Sequence, residues 1–330
     1  MRICVFGAGA VGGYLAARLL KEGSHEIAVV ARGEQLQAIR LNGLTLLTTQ
    51  ERFSVRPDVL TDQPNELKKQ DVVFVTLKSH WQSSAAKDIA SLLSPTGIAV
   101  FVNNGIPWWW TYRGLGVPAS PLPLLDPDAN LWTHVGAQRS LGCVVYSANE
   151  VVKPGVVRHS ANNLWLLGEP DNNRSERLLR VTGVLCDSQL CAEAVTDIRK
   201  RIWTKLLRNA PLNSLCALTR LTVDQLSCDR QLLALCDSVV DEIAAIAAAG
   251  GVDLLDQVEI AKEAPKLGAS IGGSAVTGIR PSMLQDAMSG RTMEVEAILG
   301  QVQQFARSTG TPCPVLDVLL PLARGLDHRA

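Results

Sequence analysis

The first half of the chain alternates short apolar runs with helix-like patterns. Residues 2–6 and 26–31 are apolar runs of β type, and residues 11–20 between them repeat apolar side chains at helical spacing. Residues 71–77 and 98–102 are almost continuously apolar, which is typical of strands buried on both faces of a parallel sheet. This alternation predicts an α/β fold.

Further runs complete this half. Residues 44–47 and 52–55 have the pattern of a hairpin, a helix is predicted over 173–186, and a last strand over 190–195. Three more strands, separated by turns at 153–155 and 161–163, are predicted over residues 141–146, 155–159 and 164–167.

One segment, residues 106–139, breaks the pattern. It carries three consecutive tryptophans, Trp108 to Trp110, and several prolines. A loop of this length in a compact domain is usually functional or disordered, and the tryptophans argue against disorder. We expect a lid or an interface patch near a ligand crevice. Packing of the insertion against its own domain is the alternative.

From residue 197 onward the pattern is helical. Glycines and prolines separate six predicted helices, over residues 197–220, 229–249, 254–266, 282–288, 293–308 and 315–325. We therefore predict an N-terminal α/β domain over residues 1–196, of the Rossmann-like dinucleotide-binding type, and an all-α domain over residues 197–330. Its apolar helices are compatible with a homodimer but do not require one.

The charge and hydropathy of the chain argue against some classes of binding partner. The 330 residues include 32 Lys plus Arg and 32 Asp plus Glu, so the formal net charge is zero. Such a chain has no overall field to hold a polyanion, and we expect no nucleic-acid partner. The apolar N-terminus imitates a secretory signal, but its glycines argue against one. No segment is apolar enough to span a bilayer, so we expect a cytoplasmic protein without a membrane partner.

The cysteines and histidines of the chain show no pattern of metal ligands or of disulfide pairs. The 8 cysteines include no C-x-x-C pair, and the 5 histidines have no zinc-ligand spacing. We expect reduced, buried thiols and no metal site.

A glycine motif lies between the first strand and the first helix. It reads G-x-G-x-x-G over Gly7, Ala8, Gly9, Ala10, Val11 and Gly12. Gly7 permits the tight turn, Gly9 lets the backbone approach a pyrophosphate, and Gly12 lets the helix pack closely on the strand. The helix amides then face the phosphates, so the motif predicts a dinucleotide site; a glycine-rich turn without a ligand is the alternative.

Side chains at the strand ends indicate which dinucleotide binds. Arg32 ends the second strand, where NAD enzymes usually carry an acidic residue, and its guanidinium suits a 2′-phosphate. This favours NADP over NAD, unless Glu34 binds a ribose hydroxyl instead. Lys78 and Asn104 follow two later strands, where cofactor and substrate contacts are expected. A solvated lysine is the alternative for Lys78.

The first helix of the second half carries a polar row. Lys205, Asn209 and Asn213 recur every fourth residue, and Pro211 lies within the row. An ammonium and two amides offer donors to a carbonyl or anionic substrate, and Lys205 is a candidate general acid. A solvent-facing stripe is the alternative.

Three further polar residues begin helices. Ser282 follows a proline, and Glu294 and Glu296 lie in the first turn after Gly290. Helix capping and the helix dipole explain all three equally well.

Together these motifs resemble the ketopantoate reductase (2-dehydropantoate 2-reductase) family nearly from end to end. The matching elements are the glycine motif, Val75-Thr-Leu-Lys78, Asn104-Gly105, Trp203-Thr-Lys-Leu-Leu-Arg-Asn209, Asn213 and Ser282-Met-Leu-Gln-Asp286, with Glu294 twelve residues beyond Ser282. The glycine motif is common to many enzymes, whereas the elements at 203–209 and 282–286, in this order and separation, are far more specific.

The resemblance implies a Rossmann domain that binds NADPH, a helical domain that closes over a ketoacid, and formation of pantoate for pantothenate synthesis. It implies that Lys205 is the general acid at the C2 carbonyl and that Glu294 binds the substrate hydroxyl. Ser282 would meet the substrate carboxylate. Asn209, Asn213 and Asn104 would position the substrate, Asn104 lying between it and the cofactor, while Arg32 and Lys78 would contact the cofactor.

Two departures keep alternatives open. The tryptophan-rich stretch is longer than in compact members of the family, and Met293-Glu-Val-Glu296 replaces the usual Thr-Glu-Ile-Asp, which leaves open which carboxylate faces the substrate. A dehydrogenase of the same fold for another 2-keto or 3-hydroxy acid is the first alternative. A non-catalytic NADP-binding redox sensor is the second.

Overall fold

The computed structural model of the chain describes residues 1–113, 118–268 and 278–328. The chain forms two compact units. One contains Met1–Asn103 and Pro107–Ile198, and the other contains Asn104–Ile106 and Arg199–Ala330. The tripeptide Asn104–Ile106 therefore belongs by its contacts to the unit formed by the second half of the sequence.

The first unit is built on a twisted-sheet architecture of the Rossmann type, as predicted. Its described residues form a 10-stranded sheet in the order β4-β3-β9-β8-β7-β6-β1-β2-β5, with β10 paired to β9. The strands are β1 Arg2–Phe6, β2 Glu26–Val30, β3 Leu44–Leu47, β4 Arg52–Val55, β5 Val59–Thr61, β6 Gln70–Val75, β7 Leu93–Val102, β8 Ser140–Lys153, β9 Val156–Gly168 and β10 Cys191–Val195.

The parallel strands at the centre explain the continuous apolar runs. β1 pairs in parallel with β2 on one side and with β6 on the other, and β6 pairs in parallel with β7. The helices of this unit are α1 Ala10–Glu22, α2 Gly33–Asn42, α3 Ser79–Gln82, α4 Ala86–Leu92 and α5 Glu176–Asp187. Because side chains on both faces of β1 are buried, a strand of this kind needs no polar alternation.

The predicted turn at residues 161–163 is wrong. β8 and β9 form one long antiparallel hairpin that turns at Gly155, and β9 continues through residues 161–163. The pairing instead shifts register between Tyr146 and Ala148, opposite this stretch, and Asn162 adopts a φ of 58°. The polar residues that predicted a turn therefore lie at a β-bulge inside a continuous strand.

The three consecutive tryptophans of the insertion are buried within the first unit. The expectation that they form a lid or an interface patch is therefore wrong, and the alternative of local packing holds for them. Trp108, Trp109 and Trp110 are only 1–3% exposed. Trp108 meets the ring of Phe101 edge to face, with centroids 5.3 Å apart. The buried Asp126 carboxylate accepts hydrogen bonds from the backbone of residues 131 and 132 and from a serine hydroxyl, which fixes the turn that follows. Residues 114–117 lie outside the described part.

The described part of the second unit contains helices and no strand, which confirms the predicted helical domain. The helices are α6 Ile198–Thr219, α7 Val223–Ser227, α8 Arg230–Ala249, α9 Leu255–Gly268, α10 Ser282–Met288, α11 Gln301–Thr309 and α12 Pro314–Asp327. α8 packs against α7, α9, α11 and α12 because its buried side chains recur at helical spacing. A π-helical turn, Glu296–Gly300, precedes α11 and was not predicted.

The cysteines are only partly buried. All eight are free thiols, but Cys186, Cys191 and Cys228 are exposed, which corrects the expectation of burial for these three. In the chain as described, no helix is long and apolar enough to cross a membrane.

Candidate active site

The glycine motif forms a tight turn between β1 and α1. Gly7 adopts a φ of 110°, and a Cβ on Gly12 would collide with the carbonyl oxygen of Gly7 and with Thr76 Oγ1. That hydroxyl donates a hydrogen bond of 2.6 Å to the Gly7 carbonyl oxygen. The backbone conformation thus requires glycine at position 7, and close packing requires it at position 12, as the motif predicts.

The start of α1 is open where a phosphate would lie. A Cβ on Gly9 would meet no described atom within 4 Å. α1 begins without an acidic side chain in its first turn and without a side-chain cap at Gly9. Its first amide groups therefore present partial positive charge, which suits a pyrophosphate.

Two side chains that sequence reasoning missed support this turn. Thr76 follows β6, and Gln35 lies on α2. Gln35 Nε2 donates to the carbonyl oxygen of Ala8, while its Oε1 accepts from the amide of Gly155. The only sequence signal was a threonine and a glutamine next to predicted element ends, which is too common to single out.

Arg32 lies beside a cavity on the β2 side of the first unit. It occupies the N-cap position of α2, and its side chain is 71% exposed. The cavity has a volume of about 440 Å³ and is lined by Arg32, Asp62, Gln63, Pro64, Asn65 and Asp88. Arg32 Nη2 lies 3.9 Å from Asp88 Oδ2. The Arg32 guanidinium thus faces a polar surface that carries both amides and carboxylates. Glu34, the alternative residue for a ribose hydroxyl, is exposed in the first turn of α2.

Lys78 takes the N-cap position of α3, separated from the end of β6 by two residues, and is half-buried. This places it at the carboxyl end of a central parallel strand, where ligands of such sheets bind. Its contact with the cofactor stays a prediction.

Asn104, Lys205 and Glu294 come together in the second unit. Lys205 Nζ donates a 2.7 Å hydrogen bond to Asn104 Oδ1, and Asn104 Nδ2 donates a 3.2 Å hydrogen bond to Glu294 Oε2. An ammonium and a carboxylate are therefore connected through one neutral amide. Glu294 is 8% exposed, so this carboxylate is largely removed from solvent.

The backbone next to Asn104 holds this arrangement in place. Gly105 has a φ of 77°, and the amide of Ile106 donates a 2.8 Å hydrogen bond to the carbonyl oxygen of Ala297. Ala297 belongs to the π-helical turn that follows Glu294. The loop and the carboxylate are therefore positioned by the same turn, which is a frequent use of π-helical segments.

The structure separates the two carboxylates that the sequence left open. Glu296 forms a two-pronged ion pair with Arg324, with both N–O distances 2.7 Å. Hydrogen bonding to Glu296 raises the pKa of Arg324. The Glu296 carboxylate is thus bound to Arg324 on α12, whereas the Glu294 carboxylate accepts a hydrogen bond from Asn104.

The three residues of the polar row on α6 have different surroundings in the structure. Asn213 is 4% exposed, donates to the backbone carbonyl of Asn209, and accepts 3.0 Å hydrogen bonds from Ser282 Oγ and the amide of Met283. It therefore caps the start of α10. Asn209 is half-buried, and α6 continues across Pro211. The substrate contacts of Asn209, Asn213 and Ser282 stay predictions.

The described residues contain no group of three or more His, Cys, Asp or Glu that could hold a metal ion. The two features that carry candidate chemistry are the open glycine turn in the first unit and the ammonium–amide–carboxylate cluster in the second.

Comparison with known proteins covers both units. The family model described as "Ketopantoate reductase PanE/ApbA" matches residues 3–172, and that described as "Ketopantoate reductase PanE/ApbA C terminal" matches residues 197–327. The chain is 38% identical over 328 residues to a 2-dehydropantoate 2-reductase of Mesorhizobium japonicum, covering 99% of this chain and 98% of that one. An Archaeoglobus fulgidus protein of the same name is 27% identical, with 99% and 98% covered.

A solved structure agrees with these matches. A provisionally assigned ketopantoate reductase from Ralstonia solanacearum MolK2 superposes with a TM-score of 0.90 at 34% identity. The alignment covers 99% of this chain and 98% of that one.

Proposed function

The chain belongs to the ketopantoate reductase family, an oxidoreductase family acting on CH–OH groups with a nicotinamide dinucleotide, and we propose that it reduces 2-dehydropantoate to pantoate with NADPH. The named relatives are 2-dehydropantoate 2-reductases, which supports this substrate. Pantoate so formed would serve pantothenate and coenzyme A synthesis.

The hydrogen-bonded cluster of Lys205, Asn104 and Glu294 carries the proposal. The cofactor, when bound, supplies a hydride to the C2 ketone carbon. Lys205 gives a proton from Nζ to the ketone oxygen, which becomes the C2 hydroxyl of the product. The 2.7 Å bond to Asn104 Oδ1 fixes the direction of Nζ, which reduces the orientational freedom lost in reaching the transition state.

Glu294 selects a hydroxylated substrate. Its carboxylate accepts a hydrogen bond from the 4-hydroxyl of 2-dehydropantoate, while Asn104 holds Oε2 from the other side. Because this carboxylate is largely buried, a substrate without the hydroxyl leaves an acceptor less well satisfied. A hydrogen-bonding site of this kind discriminates strongly against the analogue that lacks the group.

Ser282 binds the substrate carboxylate in this proposal. Its Oγ donates to Asn213 Oδ1, which also accepts from the amide of Met283. When the hydroxyl turns to the substrate carboxylate, Asn213 keeps the Met283 amide as a donor. Asn213 therefore positions Ser282 through the start of α10, and Asn209, one turn earlier on α6, contributes an amide.

The residues of the first unit fit the cofactor. The open glycine turn suits the pyrophosphate, and Lys78 adds a cation at the end of β6. Arg32 faces the cavity where the adenosine ribose belongs and supplies a guanidinium fork for a 2′-phosphate. This favours NADPH over NADH.

A reductase for another 2-keto or 3-hydroxy acid is the second candidate. The observation that favours it is the tightly packed tryptophan insertion directly after Asn104-Gly105-Ile106, which alters the chain next to a proposed substrate residue.

The experiment is NADPH oxidation followed with 2-dehydropantoate, with 3,3-dimethyl-2-oxobutanoate, which lacks only the 4-hydroxyl, and with bulkier aromatic ketoacids. We expect kcat/KM for 2-dehydropantoate to exceed that for the analogue by at least about 100-fold. Higher kcat/KM for an aromatic or unhydroxylated ketoacid would replace the first candidate with the second.

A further inference from the structure

A buried acceptor at the end of β7 has no donor. Asn103 is the first residue after β7, and its Oδ1 is removed from solvent yet makes no hydrogen bond with any described residue. Buried amide oxygens are nearly always paired, so an orphan of this kind calls for an explanation.

The orientation of this amide is fixed by its neighbours. Gln82, which is 1% exposed, donates from Nε2 to the carbonyl oxygen of Leu77 at 3.0 Å. A backbone carbonyl can only accept, so the other end of the Gln82 amide, Oε1, must face Asn103. Asn103 Nδ2 donates to that Oε1 at 3.2 Å. Rotating either amide by half a turn would place two acceptors or two donors against each other, so Oδ1 is held as the amide atom of Asn103 that points away from Gln82.

The position of Asn103 on the sheet indicates what it faces. The glycine turn follows β1, and Arg32 with its cavity follows β2, which lies on one side of β1. β6 and β7 lie on the other side, and Leu77 and Asn103 follow their carboxyl ends. A dinucleotide whose pyrophosphate lies at the β1 turn and whose adenosine lies over β2 extends its second base over β6 and β7.

We propose that Asn103, oriented by Gln82, recognises the carboxamide of the nicotinamide ring, with Oδ1 accepting a hydrogen bond from its NH2 group. This inference rests on the proposed function, because it needs the nicotinamide cofactor. Gln82 is a positioning residue: it touches no part of the cofactor and acts by fixing the Asn103 amide. The ligand feature selected is a planar group with an N–H donor.

The test is a binding cycle with two reduced cofactors, NADPH and its 3-acetylpyridine analogue, in which a methyl ketone replaces the carboxamide and no N–H remains. Dissociation constants are measured by fluorescence titration without substrate. For Asn103→Ala we expect NADPH to bind about 3- to 10-fold more weakly, whereas binding of the analogue stays within about twofold. Gln82→Met should weaken NADPH binding in the same direction and also spare the analogue.

Asn172→Gly is the matched control. Asn172 Oδ1 is also buried without a partner, but Asn172 follows β9, which runs antiparallel to β8, and its φ of 62° suits glycine. We expect this variant to bind both cofactors as the wild type does. Thermal unfolding of each variant shows whether it folds, and if Asn103→Ala does not, Gln82→Met decides.

Two negative results have different meanings. If Asn103→Ala and Gln82→Met weaken the binding of NADPH and of the analogue equally, or leave the binding of both unchanged, the carboxamide assignment is overturned while the proposed function stands. If the wild-type protein binds no NADPH and reduces no ketoacid, the proposed function itself fails.

Discussion

Lys205 Nζ donates a 2.7 Å hydrogen bond to Asn104 Oδ1, joining residues 101 positions apart in the sequence. The bond lies within the second unit, because Asn104–Ile106 makes its contacts there although the chain on both sides belongs to the first unit. The loop after β7 thus delivers one amide to the helical unit, where it connects an ammonium with the carboxylate of Glu294.

Removing the amide that orients the lysine should slow turnover. Asn104→Ala removes the 2.7 Å hydrogen bond that Lys205 Nζ donates to Asn104 Oδ1, and we expect kcat with 2-dehydropantoate to fall by up to about 10²-fold, because small misplacements of a reacting group are costly. Steady-state kinetics measures this. Asn130→Ala, an exposed amide that donates to the carbonyl oxygen of Pro127, is the control and should keep wild-type kcat. Wild-type kcat in Asn104→Ala would mean that the amide does not orient the lysine.

Two neighbouring glutamates should behave differently. Glu294→Gln is expected to lower kcat/KM for 2-dehydropantoate by at least about tenfold and to change kcat/KM for 3,3-dimethyl-2-oxobutanoate far less, because the two substrates differ only in the hydroxyl. Glu296→Gln breaks the ion pair with Arg324 and should lower Tm by about 1–3 °C with little effect on substrate preference. Equal losses on both substrates for Glu294→Gln would indicate a structural role for that residue.

The cavity beside Arg32 should set cofactor preference. Arg32→Ala is expected to weaken NADPH binding by about tenfold or more and NADH binding much less, since only NADPH carries the 2′-phosphate. Asp88→Asn should tighten NADPH binding, because Asp88 Oδ2 lies 3.9 Å from Arg32 Nη2 and repels the phosphate. Calorimetric titration with both cofactors measures these effects. If Arg32→Ala weakens both cofactors equally, the arginine does not read the 2′-phosphate.

Thiol chemistry should follow burial. Burial raises the pKa of Cys4, Cys216 and Cys236 to about 12, so these thiols stay protonated and inaccessible at pH 8. We expect iodoacetamide to label Cys186, Cys191 and Cys228 in the native protein and all eight cysteines in denaturant. Mass spectrometry of the peptides reads this out. Native labelling of Cys4 would show that the core of the sheet opens.

Local signals were sufficient to predict the elements that we propose to bind the cofactor. The glycine turn, the strands before Arg32 and Lys78, and most helices of the second unit are encoded by periodicity and by residues adjacent in sequence. α7, with 5 residues, is too short to show helical periodicity, and the π-helical turn after Glu294 has no periodic signature of its own. The polar stretch at residues 161–163 indicates a turn locally, but pairing with β8 overrides that preference.

Long-range contacts determined the rest of the site. Sequence motifs singled out Asn104, Lys205 and Glu294 separately, but their hydrogen bonds join distant positions. The pairing of Glu296 with Arg324 on α12 resolves a choice that the motif Met293-Glu-Val-Glu296 left open, because the partner lies 28 residues away. Likewise, the buried carboxylate of Asp126 accepts hydrogen bonds from the amides of Leu131 and Trp132, a contact within the insertion that its tryptophans and prolines do not indicate.

Lys205 is the proposed proton donor, and kcat of Lys205→Ala with saturating NADPH and 2-dehydropantoate tests this assignment most directly. Lys200→Ala, on the same helix and with Nζ 3.4 Å from Oδ1 of the exposed Asp256, is the matched control and should turn over at the wild-type rate. We predict a fall in kcat of about 10²- to 10⁴-fold for Lys205→Ala, with NADPH still bound. Turnover within a few-fold of wild type in that variant would contradict the assignment.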